Sequence, residues 1–213
     1  MSVLVAAPTI AEIRPLVRYA RRSALNIPVD IVVTGVGSIS TTYTLLRQLL
    51  LKTPSLMIQA GIAGSFSKEI ALGTVVAVAS DTPADLGVIE AGKWRTVFDL
   101  GLESPNQFPY SGGWLKNRGA WLRRCGLSTV KAITLNQVST ERNTVGALKG
   151  RFRPAIETLE GAAFHYVALR ERIPFLQLRA VSNFVGERNK RHWKLAGAIN
   201  NLNRELIRIL ETL

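Results

Sequence analysis

The sequence predicts an α/β fold: a three-layer sandwich in which a mostly parallel, mixed central sheet is flanked by helices. Two observations carry that expectation. Short runs dense in β-branched and apolar residues recur along the chain, and the stretches between them place apolar residues at helical spacing. A third bounds the size. The chain has 213 residues, 47% of them hydrophobic, which suits one globular domain over residues 1–213.

Taken in order, SVLVAA (2–7) is the first expected strand; it lacks the basic flank of a signal peptide. Glu12 follows it, at the start of the next helix. VDIVVTGV (29–36) is the second strand, ended by a glycine-rich turn, TGVGS. Residues 38–51 predict a helix with Ile39, Tyr43, Leu46 and Leu50 on one apolar face. Pro54 then separates helix from strand, and SLMIQAG (55–61) is a strand ended by a second glycine-rich turn, QAGIAGS (59–65). GTVVAVAS (73–80), VKAITL (130–135) and FLQLRAVS (175–182) complete the set. Their nearly continuous apolar character fits strands covered on both faces. Residues 81–118, rich in Gly and Pro, are expected as a lid or rim. Residues 193–211 close the chain as a helix with Leu195, Ile199, Leu202, Leu206 and Ile209 on one face.

Several functional classes find no support. No apolar run is long enough for a membrane helix. The single cysteine, Cys125, precludes an internal disulfide and fits a cytoplasmic protein. Walker A and GxSxG patterns are absent, and GVGSIS (35–40) lacks the third glycine of a dinucleotide fingerprint. His165 and His192 have no metal-ligand neighbours at useful spacing, and His165 reads as a satisfied core or helix-surface residue. No metal and no cofactor is expected. The net charge of +12 favours anionic partners, but the basic residues are scattered rather than interleaved with aromatics, so nucleic acid is not the expected partner.

What remains is a set of polar residues at expected strand ends, where sites in parallel sheets gather. These are Glu12, Glu160 and the Ser182-Asn183 pair, with the two glycine-rich turns. Each has a plain alternative. Glu12 and Glu160 suit a helix start, and Ser182-Asn183 a turn or cap. Together they form a candidate pocket.

QAGIAGSF (59–66), ETLEGAAFHYV (157–167) and LRAVSNFVGERN (178–189), in this order, resemble the nucleoside phosphorylase and nucleosidase superfamily. With ADLGVIEAGKW (84–94), the chain is most similar to its futalosine hydrolase branch. The resemblance spans essentially the whole chain. It implies a nucleoside phosphorylase-like fold and a small-molecule nucleoside substrate, bound by a homodimer or larger assembly whose neighbouring subunit completes the pocket.

The resemblance also implies roles. Glu160, with Leu159 where the family usually has methionine, matches the acid that accepts hydrogen bonds from ribose hydroxyls. A carboxylate is suited to that, being an acceptor only, and it favours the cationic transition state of N-glycosidic cleavage. Glu12 matches the acid that activates water in the nucleosidase branch. Such a charge repels phosphate, which favours hydrolysis over phosphorolysis. Ile62 stands where some relatives carry a hydroxyl residue, and Ala63 and Gly64 continue that turn. Asn183 departs from the aspartate of adenine-specific nucleosidases. Its carbonyl accepts a protonated N7 and its amide donates to O6, which suits hypoxanthine, with Ser182 or water relaying a proton. Val36, Val138 and the 84–110 segment are candidate walls. Arg188, Lys190 or Arg191 would anchor the carboxylate of a carboxyphenyl 5′ arm. The expected reaction is hydrolysis of futalosine to hypoxanthine and dehypoxanthine futalosine, in menaquinone biosynthesis. The alternatives are a nucleosidase or phosphorylase for inosine- or methylthioadenosine-type substrates and, more distantly, a nucleic-acid-binding protein.

Overall fold

The computed structural model describes residues 1–23, 25–90 and 93–213. Ala91 and Gly92 of the 84–94 motif lie outside the described residues. The elements run β1 (Val3–Ala7), α1 (Ile10–Arg22), β2 (Val29–Val33), α2 (Ser38–Leu51), β3 (Leu56–Ser65) and β4 (Val75–Asp81). They continue β5 (Gly87–Glu90), β6 (Lys93–Thr96), β7 (Leu115–Lys116), α3 (Ala120–Arg124), β8 (Thr129–Thr134) and α4 (Arg142–Phe152). Last come β9 (Ile156–Thr158), α5 (Gly161–Arg170), β10 (Phe175–Phe184) and α6 (Leu195–Glu211).

The main sheet has eight strands and is mixed. β2, β1, β3 and β10 run parallel in that spatial order. β4 joins β10 antiparallel, β8 and β9 run parallel to β4, and β9 returns antiparallel to β3. Five strands therefore close on themselves beside an open parallel wing. β5 and β6 form a separate hairpin.

Alternation along β1 shows why the wing is apolar on both faces. Val3, Val5 and Ala7 pack with Ile13 and Leu16 of α1 and Leu202 and Leu206 of α6. Leu4 and Ala6 pack on the other side with Leu45 of α2 and Phe164 of α5. Helices on both faces make the three-layer α/β sandwich expected from the sequence.

Four expectations are corrected. In α2 the buried residues are Thr41 and Leu45, whereas Ile39, Tyr43, Leu46 and Leu50 face outward, Ile39 being 86% and Leu50 80% exposed. The helix is apolar on more than one face, and periodicity alone cannot tell which one meets the sheet. QAGIAGS is not a turn: β3 runs through it to Ser65 because β10 pairs beside it from Met57 to Ser65. β10 likewise continues through Ser182 and Asn183, with a register shift between Val181 and Asn183. β2, by contrast, stops at Val33, leaving Val36 in the loop before α2.

Candidate active site

The ends of β1, β3, β9 and β10 surround a cavity of about 320 Å³. Glu12, Val36, Ile62, Ala63, Gly64, Val138, Leu159, Glu160, Ser182 and Asn183 all line it. The described residues of the segment 84–110 do not. Ala84, Asp85, Ile89 and Trp94 instead line a neighbouring cavity of about 400 Å³, and Val138 borders both. Arg188, Lys190 and Arg191 are exposed and absent from the cavity wall. The loop after β10 turns Trp193 inward and leaves those charges in solvent, Trp193 Nε1 donating to Glu187 O at 3.1 Å.

Glu12 sits in the first turn of α1, three residues after the N-cap Thr9. The spacing is that of a capping box, in which the acid reaches back to the cap's backbone N–H. Here the carboxylate turns away instead. Its Oε2 accepts from Thr9 Oγ1 at 2.6 Å, and its Oε1 from Ile62 N on β3 at 3.0 Å. Asn203 of α6 holds the same turn, donating to Glu12 O at 2.8 Å and accepting from Leu16 N at 3.0 Å. It does so beside Pro15, which has no N–H to give the helix ladder.

Glu160 is the residue before the first turn of α5, yet its side chain does not cap the helix. Gly161 N donates to Thr158 Oγ1 at 3.1 Å and Ala162 N to Thr134 Oγ1 at 2.7 Å. Two threonines thus satisfy donors that an N-cap acid would ordinarily take, and the Glu160 carboxylate is left for the cavity. Its Oε1 accepts from Gly37 N at 3.2 Å, and Arg179 Nη1 lies 3.4 Å from its Oε2. Gly37 has φ near 89°, a left-handed conformation natural to glycine, and this aims its N–H across the site. Each carboxylate oxygen keeps room for a further hydroxyl donor.

Arg179, on β10, is fully buried beneath both acids. It donates to Gln59 Oε1 at 2.8 Å and, at 3.4 Å, to Ile62 O. The Ile62 backbone therefore touches both halves of the site, its N–H on Glu12 and its carbonyl on Arg179. Gly61 makes the approach feasible: a Cβ there would meet the Arg179 guanidinium and stand 3.2 Å from Glu12 Oε1. This is why the glycines of QAGIAGS lie inside a strand.

Ser182 Oγ donates to Asn183 Oδ1 at 2.8 Å, and Asn183 Nδ2 donates to Phe184 O at 3.1 Å. Those two partners fix which way the amide points. They leave one acceptor site on Oδ1 and one donor on Nδ2. The Ser182 proton is engaged on Asn183, so Ser182 orients the amide.

Behind the site, Asp81 accepts from Thr82 N at 2.8 Å and from Thr134 Oγ1 at 2.9 Å, and burial pushes its pKa up to about 7. His165 is wholly buried with Nδ1 3.0 Å from Leu115 O, and burial pushes its pKa down to about 4. It is a core residue. Among the described residues no group of His, Cys, Asp and Glu is arranged to hold a metal ion, and no helix is long and apolar enough to cross a membrane.

Sequence reasoning missed Arg179, Asn203, Thr158, Glu157 and Trp193. Arg179 carried one signal, a charged residue inside an otherwise apolar strand. The others have no local signature.

Two buried carboxylates, Glu12 and Glu160, and the Asn183 amide thus converge on one cavity at the strand ends of the mixed sheet. The chain belongs to the phosphorylase superfamily, whose family model matches residues 9–213. It is similar to futalosine hydrolases. That of Thermus thermophilus is 31% identical over 180 residues, covering 83% of this chain and 79% of the relative. That of Acidothermus cellulolyticus is 30% identical, covering 81% and 71%. In fold, it resembles the Helicobacter pylori 5′-methylthioadenosine/S-adenosylhomocysteine nucleosidase with butyl-thio-DADMe-Immucillin-A, with a TM-score of 0.83 at 14% identity over 100% of this chain and 99% of that one. The native futalosine hydrolase of Helicobacter pylori gives 0.81 at 14% identity, over 100% and 98%.

Proposed function

We propose that this chain, acting as one domain over residues 1–213, hydrolyses the N-glycosidic bond of futalosine to release hypoxanthine and dehypoxanthine futalosine, a step of menaquinone biosynthesis in the cytoplasm. The observation that carries the reading is Asn183, a cavity-lining residue whose amide is held by Ser182 and keeps one donor and one acceptor unused. A 6-oxopurine leaving with a proton on N7 presents the matching acceptor and donor. Glu12 is the base that takes a proton from water. Glu160 binds the ribose hydroxyls, and Arg179 holds Glu160 in place.

Products and rates test the substrate. Purified protein is incubated with futalosine, aminofutalosine, inosine and methylthioadenosine, and the released base is identified. Futalosine is expected to give the highest kcat/KM. Asn183→Asp replaces the donor facing O6 by an acceptor. An unpaired buried polar group costs about 1–3 kcal/mol, so the futalosine-to-aminofutalosine ratio should fall roughly 5- to 150-fold. An unchanged ratio means that Asn183 does not read the base.

We also infer that the functional unit is a dimer of this chain. Ile39, Tyr43, Leu46 and Leu50 form an exposed apolar stripe along α2, continuous with exposed Val36, which lines the cavity. A stripe at this spacing suits pairing with its own copy about a two-fold axis, and it would bring the second chain to the cavity mouth, where the 5′ arm emerges. Sedimentation should give about twice the 23.3 kDa chain mass. Leu50→Glu should shift the protein toward monomer; a wild-type monomer at assay concentration contradicts the inference.

A further inference from the structure

Asp81 ends β4 behind the site, wholly buried, and has no part in the chemistry described so far. Its hydrogen bonds lead to Glu160. Asp81 Oδ1 accepts from Thr82 N at 2.8 Å and from Thr134 Oγ1 at 2.9 Å. Thr134 Oγ1 in turn accepts from Ala162 N at 2.7 Å and lies 3.1 Å from Thr158 Oγ1. Thr158 Oγ1 accepts from Gly161 N at 3.1 Å.

A hydroxyl has one proton to give, which fixes the direction of this chain. The Thr134 proton goes to Asp81 Oδ1, so Thr134 presents only lone pairs to Ala162 N and to Thr158. The Thr158 proton goes to Thr134, and a Thr158 lone pair is left for Gly161 N. Asp81 is thus the terminal acceptor of a relay that starts at the first two N–H groups of α5. Oδ1 keeps that role in either charge state. It already receives two donors, so a proton taken up near the raised pKa of about 7 goes to Oδ2, which faces Gln177 Nε2 at 3.3 Å. The Gln177 amide can turn over to receive it, because Gln177 Oε1 has no partner among the described residues.

The relay bears on Glu160 because Glu160 is the N-cap residue of α5. An N-cap side chain ordinarily accepts from the N–H two or three residues on, and Ala162 N is the first of these. Thr134 holds that N–H instead. The fit is close: a Cβ on Gly161 would collide with Asp81 Oδ2 and Gln177 Nε2, so α5 starts directly against the Asp81 carboxyl.

We propose that Asp81 is a positioning residue for the cleavage: by holding the Thr134 hydroxyl with its lone pairs toward α5, it withholds the helix N-terminus from Glu160 and leaves that carboxylate to the sugar. The proposal rests on the reading of Glu160 as the ribose ligand.

Two pairs of variants and one structure test it. Thr134→Val keeps the shape of the side chain and removes the hydroxyl, and Asp81→Ala removes the acceptor. Each should lower kcat for futalosine roughly 10- to 100-fold with KM changing far less, the pattern of a displaced transition-state ligand. Thr134→Ser and Asp81→Asn, which restore the hydroxyl and the acceptor, should keep most of the wild-type kcat. Asparagine also removes the charge, so this variant separates the acceptor from the charge. In a crystal structure of the free Thr134→Val protein, the Glu160 carboxylate should leave Gly37 N and accept from Ala162 N. Wild-type kcat in Thr134→Val or in Asp81→Ala overturns the proposal. So does Asp81→Asn as slow as Thr134→Val, whether or not Asp81→Ala folds, and so does Glu160 still on Gly37 N and Arg179 in the Thr134→Val structure. That structure needs no substrate. If Glu160 is displaced in it while wild type releases no base from futalosine, the substrate reading has failed and the positioning of Glu160 stands.

Discussion

Glu12→Gln is expected to lower turnover of futalosine by at least about 100-fold, the usual loss when a general base is removed. The substitution is close to isosteric. A glutamine carbonyl can stay on the Ile62 N–H, and its amide can face the Thr9 hydroxyl, so the pocket keeps its shape. Only the capacity to take a proton from water is removed. Substrate binding should therefore persist, and KM should change far less than kcat. Near-normal turnover in a folded Glu12→Gln protein would show that Glu12 is merely the first-turn acid its capping-box spacing suggests. Asn203→Ala bears on the same residue from behind. Its effect belongs to the placement of α1, whereas Glu12→Gln leaves α1 where it is.

Glu160→Gln is expected to depress kcat by a similar factor through a different cause. The two Glu160 oxygens accept from Gly37 N and Arg179 and face the cavity beyond. Hydrogen bonds from ribose hydroxyls to a carboxylate strengthen as positive charge develops on the sugar, so the interaction is larger in the transition state than in the bound substrate. A neutral amide gives up that charge. Because Arg179 is fully buried, the variant also leaves a buried guanidinium without its carboxylate, and losing one member of such a pair is destabilising by about 3–5 kcal/mol. The melting temperature should fall, and kinetics belong well below it. A rise in KM with kcat unchanged would make Glu160 a uniform binding residue and remove its transition-state role.

The frame of the fold was legible because most of its central strands are apolar throughout. Residues 2–7, 29–36, 55–61, 73–80, 130–135 and 175–182 read as strands from composition alone; β1, β3, β4 and β10 are buried almost along their length, whereas β2 is apolar without being buried and ends at Val33. The three-residue β9 and two-residue β7 were not legible: a strand that short has no period to detect. QAGIAGS was misread as a turn because glycine's commonest use is conformational. Here Gly61 serves a steric purpose, giving room to the Arg179 guanidinium, and a Cβ on Gly64 would press on Val185 at 3.2 Å. The outward stripe of α2 was misread as core because a sequence does not show which of two apolar faces meets the sheet.

Glu12, Glu160, Ser182 and Asn183, which line the cavity, stand out in the sequence as polar residues beside apolar runs. The residues that hold them do not. Asn203 reaches Glu12 from 191 positions away, and Arg179 reaches Gln59 from 120. Thr158 and Thr134, which relieve Glu160 of capping α5, lie on two different strands. Such contacts exist only once the sheet has closed.

If water is the nucleophile and Glu12 its base, phosphate has no part in the cleavage. The most direct measurement is the initial rate of hypoxanthine release from futalosine by phosphate-free protein, repeated with phosphate added and with the sugar product identified. The predicted result is the same rate in both and a free reducing sugar, dehypoxanthine futalosine. A rate that requires phosphate and yields a sugar 1-phosphate, or no release of hypoxanthine at all, would contradict it.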